Sequence, residues 1–310
     1  MAPRTVLAIF GPTASGKSAV ADELARRIPA ELVSADSMQV YRGLPLLTNQ
    51  SPSPTRLVGI WPLGHEASVA EYQRLAHEAI DEILAAGRTP IVVGGTGLYL
   101  RAALSGMKLP PAPEPGRREH WQRLYDRVGG GRAHELLAER DPVAAAAVHP
   151  NDRRRVVRAL ELVDAGHSLK QPVERLWAAD TRRSTLVFGL DVPRDELLRR
   201  IEARANAMFE AGVREEVEQA LKNPISATAR KALGLDEVAG LPRDEAIKAV
   251  IVRTRAYAAY QRKWMRRIPG LVRVAANRPA GDVADEILQV VRRSRPGGDF
   301  GSTSGPPDPG

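Results

Sequence analysis

Gly11-Pro12-Thr13-Ala14-Ser15-Gly16-Lys17-Ser18 has the residue types and spacing to hold an anion. It fits G-x-x-x-x-G-K-[ST], in which two glycines let the backbone fold around a phosphate with its N–H groups turned inward. Apolar sequence precedes the octapeptide and helical spacing follows it, so it belongs between a strand and a helix N-terminus, whose partial positive charge favours an anion. Lys17 can then reach terminal phosphate oxygens and Ser18 can ligate Mg²⁺. The motif specifies a bound polyphosphate. It does not specify which one, or that a group is transferred.

A nucleotide-hydrolysing protein with this loop carries a further acid at the end of another apolar strand, to hold Mg²⁺. Here the runs at 57–61 and 91–93 end in Pro62-Leu63-Gly64 and Gly94-Gly95-Thr96-Gly97, without a carboxylate. Motor and switch readings lose weight accordingly. The acid at a strand end is Asp36, after Val33-Ser34-Ala35. It can be a general base, a Mg²⁺ ligand or a plain cap. Thr96, between glycines, can donate to a phosphate oxygen or serve as a turn hydroxyl. Ligands of open α/β sheets bind at the carboxyl ends of strands. Asp36, Ser37, Met38, Gln39, Thr96 and the loop are therefore expected to line one cleft.

Arginines form two further groups. Arg154, Arg155 and Arg158 share one helix face by i,i+3 and i,i+4 spacing. That face either meets RNA phosphates, or stays solvated or pairs with Glu161. Arg255 and Arg262 share a side of a later helix, and Lys263, Arg266 and Arg267 extend the stripe, to bind RNA or simply to stay wet. Trp121, Tyr257 and Trp264 read mainly as core residues, with base stacking the other option.

These groups need a scaffold. Strands are expected at 5–10, 31–35, 57–61 and 90–93, with helices at 17–28 and 68–86, the latter stopped by Gly87. Strands alternating with helices predict a parallel sheet covered on both faces. Four prolines in 108–116 break the rhythm, helical sequence runs from 117 to 165, and a strand pattern returns at 185–192. Long helices follow at 194–222 and 244–267, with a last strand at 271–275. The expected organisation is an α/β core from 1–110 and 181–275, an all-helical insertion at 111–180, and a disordered tail at 295–310.

Composition agrees. The 310 residues are 43% hydrophobic and 26% charged, which suits a globular chain of about two domains. No apolar run approaches the ~20 residues that cross a bilayer, and no apolar signal region opens the sequence, so a cytoplasmic protein with no membrane partner is expected. The absence of cysteine excludes disulfides, thiol catalysis and cysteine zinc sites. A net charge of +8 favours polyanionic partners.

Taken together, the sequence resembles the tRNA dimethylallyltransferases (tRNA isopentenyltransferases). The matching segments are 11–18, Ala35-Asp36-Ser37-Met38-Gln39-Val40-Tyr41-Arg42-Gly43, Gly94-Gly95-Thr96-Gly97-Leu98-Tyr99, the stretch from His149-Pro150-Asn151-Asp152 to Glu161, and Thr254-Arg255. The resemblance implies a P-loop NTPase-like core whose helical insertion grips the anticodon stem-loop of tRNA. It implies transfer of a dimethylallyl group from dimethylallyl diphosphate to N6 of the adenosine next to the anticodon, with Mg²⁺. In that reading the loop holds a prenyl diphosphate rather than ATP. Lys17, Thr96, Arg255 and Ser18 through Mg²⁺ stabilise the departing diphosphate, and Asp36 is the base. Ser37, Met38, Gln39, Thr96 and the arginines 154, 155 and 158 face tRNA, and a monomer is expected. The family pattern is departed from at 44–50, 55–56, 233–235 and 259–261. Rival readings are prenylation of a free adenine nucleotide, an ATP-dependent small-molecule kinase with Asp36 as its base, and a non-catalytic RNA-binding module.

Overall fold

The computed structural model describes residues 5–107, 109, 116–169 and 181–294. Most of the proline-rich boundary and the whole tail expected at 295–310 lie outside the described residues.

Strand β1 (Val6–Phe10) is five buried apolar residues, the composition of a strand covered on both faces. It runs through the glycine-rich loop into α1 (Lys17–Arg27). That helix stops before Pro29, and Ile28 is extended at φ −135°, ψ 152°, as a residue preceding proline must be. Then come β2 (Ala30–Ser34), a short α2 (Pro45–Thr48), β3 (Thr55–Arg56) and α3 (Val69–Ala85). Ser68 caps α3 by accepting the Glu71 N–H at 3.1 Å. Strand β4 (Thr89–Gly94) leads into α4 (Gly97–Leu104). Three helices follow, α5 (Arg117–Arg140), α6 (Pro142–Ala146) and α7 (Arg153–Asp164). The chain then returns through β5 (Thr185–Asp191), α8 (Arg194–Glu210), α9 (Val213–Leu221), a 3-10 turn at Ala229–Lys231 and α10 (Leu235–Gly240). It ends with α11 (Arg243–Met265), β6 (Val272–Ala275) and α12 (Ala280–Arg293).

Among the described residues, six strands form one sheet in the order β3-β2-β4-β1-β5-β6, and every pairing is parallel. Alternate residues of β1 feed opposite faces, as the pleat requires. Val6, Ala8 and Phe10 join a core with residues of α3, α4 and α11. Leu7 and Ile9 join another with Val20 and Leu24 of α1 and Val283 and Ile287 of α12. The parallel α/β architecture with helices on both faces is thus the one expected. Helices α5–α7 have a cluster of their own, built on Trp121, Leu137, Val156 and Leu160.

Three expectations need correction. The apolar run 57–61 is not a strand. Leu57 and Gly59 take φ of 66° and 63°, which no strand accommodates, and only Trp61 bridges back, to Tyr41. Its buried side chains anchor a loop, and the edge strand is instead the two-residue β3. The helix expected over 194–222 is two, because Gly212 adopts φ +91° and ends the first turn-for-turn continuation. The core does not finish at 275 either, since α12 packs against α1 and completes one face.

Candidate active site

Strand ends assemble the site. β4 lies between β1 and β2, with Phe10 level with Gly94 and Ser34 level with Val93. The phosphate loop, Asp36 and Thr96 therefore leave the sheet at the same edge. The sequence expects all three in one cleft, and the register brings them to neighbouring strand ends.

The loop is a compact nest. Ala14 and Gly16 take left-handed φ of 64° and 88°, and the Ser15 N–H donates to the Pro12 carbonyl at 3.2 Å. Lys17 folds back so that Nζ donates to the same carbonyl at 2.8 Å. Burial pulls its ammonium down to about 8, with the Asp36 charge opposing the fall and Arg204 adding to it. Ser15 is buried, and its Oγ has no hydrogen-bond partner, an orphaned donor inside the loop. A buried polar atom of this kind marks a place where a ligand oxygen completes the structure.

Asp36 follows β2 in a tight turn, its Oδ1 accepting the Met38 N–H at 2.9 Å. The capping role is real, yet the carboxylate also interacts with both Lys17 and Arg204. Tyr72, Tyr99 and Tyr257 surround it. Burial raises all three phenols above their ordinary range, and the Asp36 charge adds to the rise. Thr96 Oγ1 accepts the Ser37 N–H at 3.3 Å and lies 3.4 Å from the Ser37 and Tyr257 hydroxyls. Gln39 turns inward: it accepts from Ser34 Oγ at 3.1 Å and donates to the Thr48 and Asn49 carbonyls. Ser37, Met38 and Gln39 are half-buried.

Two residues not singled out from the sequence belong here. Arg204 of α8 donates from Nη1 to Thr13 Oγ1 at 2.7 Å. Burial lowers its pKa while Asp36 works against that shift. It follows Leu197 and Ile201 and precedes Met208 on the buried stripe of α8, an arginine where an apolar residue is due. Gln261 of α11 is the second. Its Oε1 accepts the Thr13 N–H at 2.7 Å and its Nε2 donates to the Gly95 carbonyl at 2.9 Å. It too interrupts a buried stripe, after Val250, Thr254 and Ala258 and before Met265. A charged or amide side chain at a core position must be partnered, and that was the available signal.

Arg255 pairs with Glu202 of α8, and its Nε is buried without a partner. Arg262 pairs with Asp191 at the end of β5, 3.4 Å away. In α7, Arg158 lies 3.0 Å from the fully buried Glu161, which Arg118 also holds at 2.8 Å. The pairing with Glu161 offered by the sequence is present. Arg154 and Arg155 are exposed. Burial is the first cause of the lowered Lys231 ammonium, and the Arg154 charge the next. Trp121 and Trp264 pack into cores.

The Ser18 hydroxyl, in the first turn of α1, is the oxygen donor expected to meet a cation beside the loop. Among the described residues no group of three His, Cys, Asp or Glu could hold a metal ion. That single oxygen fits a hard divalent cation whose other ligands are phosphate oxygens and water. No described helix is long and apolar enough to cross a membrane.

A family model described as IPP transferase matches residues 39–268, and one described as isopentenyl transferase matches residues 4–60. The chain is 39% identical over 302 residues to the tRNA dimethylallyltransferase of Corynebacterium jeikeium, covering 92% of this chain and 96% of that one. Its structure is similar to the solved full-length tRNA isopentenylpyrophosphate transferase of Bacillus halodurans, with 30% identity, a TM-score of 0.66, and coverage of 94% and 97%. The fold alone is also shared with a eukaryotic dimethylallyltransferase solved in the act of modifying tRNA, at 24% identity, a TM-score of 0.76 and coverage of 96% and 81%.

Proposed function

The chain belongs to the IPP transferase family, and we propose on that footing that it transfers a dimethylallyl group from dimethylallyl diphosphate to N6 of the adenosine 3′-adjacent to the tRNA anticodon. The observation that carries the reading is Asp36 set against Lys17 and Arg204 at the mouth of an amide nest. Two cations and a ring of N–H donors suit a diphosphate, and one carboxylate beside them suits a proton acceptor.

The bond between the allyl carbon and the diphosphate oxygen breaks as the bond to N6 forms. Negative charge grows on the departing diphosphate, where preorganised donors act most strongly. The loop amides, the Ser15 hydroxyl, Lys17, Arg204 and Arg255 are those donors, with Thr96 at the side facing the adenosine. Asp36 accepts the amine proton as nitrogen becomes bonded to carbon. Ser18 would hold Mg²⁺, which when bound would supply charge neutralisation of the diphosphate. Arg255, paired to Glu202, braces α11 against α8 close to Arg204. Ser37, Met38 and Gln39 shape the pocket for the target base, and residues 111–180 form the domain that holds the anticodon stem-loop, with Arg154 and Arg155 on its exposed face. The protein acts as a monomer.

Labelled dimethylallyl diphosphate with Mg²⁺ and either tRNA or AMP tests this directly. Label in tRNA is the expected result. Label in AMP would instead make the chain a nucleotide prenyltransferase, and ATP turnover without prenyl transfer would make it a kinase.

A further inference from the structure

Gln261 is a side chain that the reaction as described above does not use, yet it touches two pieces of the cleft at once. It is 2% exposed and lies among apolar neighbours on α11. Its Oε1 takes the N–H of Thr13, a residue of the phosphate loop, and its Nε2 serves the carbonyl of Gly95, one residue before Thr96. The Tyr257 hydroxyl, one turn before Gln261 on α11, lies 3.4 Å from Thr96 Oγ1. The fit is tight: a Cβ on Gly95 would stand 2.1 Å from Nε2. Thr13 is thus gripped on both sides, its amide by Gln261 and its hydroxyl by Arg204 at 2.7 Å.

We propose that Gln261 is a positioning residue whose carboxamide clasps the phosphate loop to the turn carrying Thr96, fixing the gap that receives the donor diphosphate. The inference rests on the prenyl-transfer reading above. A carboxamide has both an acceptor and donors, which is what the two groups it joins demand. The Thr13 amide is turned outward to Gln261 rather than into the nest, so the loop meets the diphosphate with a fixed subset of its amides. A loop held in this way need not reorganise when charge develops on the leaving group. Without the clasp, loop and turn are free to separate, and the donor should be bound more weakly while RNA is bound as before.

The test uses the full chain with Gln261→Met, close in shape but unable to hydrogen-bond, and Gln261→Glu. Donor affinity is read by calorimetric titration of dimethylallyl diphosphate, tRNA affinity by filter binding, and folding by Tm. Gln261→Met should raise the donor Kd and KM by about tenfold, the loss of one to two hydrogen bonds, with the tRNA Kd within about twofold of wild type. In Gln261→Glu the uncharged carboxyl can accept from Thr13 and donate to Gly95, whereas the carboxylate cannot donate. Its kcat/KM relative to wild type should therefore be highest at low pH and fall as pH rises through that carboxyl's pKa. A glutamine that merely fills space would produce no such limb. Donor and tRNA affinities falling together with Tm, an unaltered Gln261→Met enzyme, or a flat Gln261→Glu ratio would each overturn the proposal alone. A wild-type chain that binds no dimethylallyl diphosphate would overturn the functional reading and this inference with it.

Discussion

Asp36 stands in a field of two cations and three protonated phenols, and its Oδ1 is already committed to the Met38 amide. Asp36→Asn keeps that shape and that contact while removing the proton acceptor. Turnover should drop by about 10²–10⁴-fold with tRNA affinity unchanged, and an equal loss of both in a binding and single-turnover comparison would remove the assignment. Lys17 supplies a pH dependence. Burial brings its amine from 10.5 to about 8, and the ammonium is the form that attracts a diphosphate. Donor affinity of the free enzyme should therefore be full below pH 8 and decline as pH climbs through it, and Lys17→Met should flatten that profile in a titration from pH 6.5 to 9.5. Stability runs the other way. The folded chain holds this proton less tightly than the unfolded one, so the lysine's cost to folding is present below pH 8 and recedes between about 8 and 10.5.

Single elements show how far a residue pattern reads through to structure. The octapeptide, Asp36 and Thr96 were legible because each sits at the end of an apolar run, and parallel strands deliver such ends to one edge. Arg204 and Gln261 belong to no motif, and the only mark each leaves in the sequence is a polar break in a buried helical stripe. The run 57–61 misled because apolar residues with left-handed backbone, Leu57 and Gly59, anchor a loop as well as they fill a strand. The departures from the family pattern have local explanations. Residues 44–50 fold into α2, whose N–H groups at Leu46 and Leu47 donate to the Glu216 carboxylate at 2.8 and 2.9 Å. Arg56, where histidine is usual, pairs with Glu31 and Glu82. Within α5–α7 the decisive group is Glu161, whose side chain is fully buried between Arg118 and Arg158. Glu161→Ala strands both guanidiniums and should cost about 3 kcal/mol, the low end of the range because both arginines keep some water. Hydrogen exchange should place the loss in α5–α7 and leave the sheet protected.

For the molecule as a whole, a net charge of +8 and the exposed Arg154 and Arg155 of α7 favour a polyanionic partner, tRNA in the function proposed above. Each arginine that neutralises a phosphate adds to the salt dependence of binding. Arg154→Ala and Arg155→Ala should each lower the slope of log Kd against log salt by about one, and Arg158→Ala should lower it by less, since Arg118 and Arg158 share the single negative charge of Glu161. Slopes unchanged from wild type in all three variants would mean that α7 meets only water. The sheet imposes its own order, because β1 pairs with β4 on one side and with β5, beyond the helical segment, on the other. The helix that springs from the phosphate loop is roofed by α12, whose Val283 and Ile287 cover Val20 and Leu24 and whose Asp285 lies 3.0 Å from Arg27. A shortened chain lacking α12 would keep every reacting group and still be handicapped. The mount of its anion cradle would present bare hydrocarbon to water, making the fragment a target for proteases and self-association long before its chemistry was put to use.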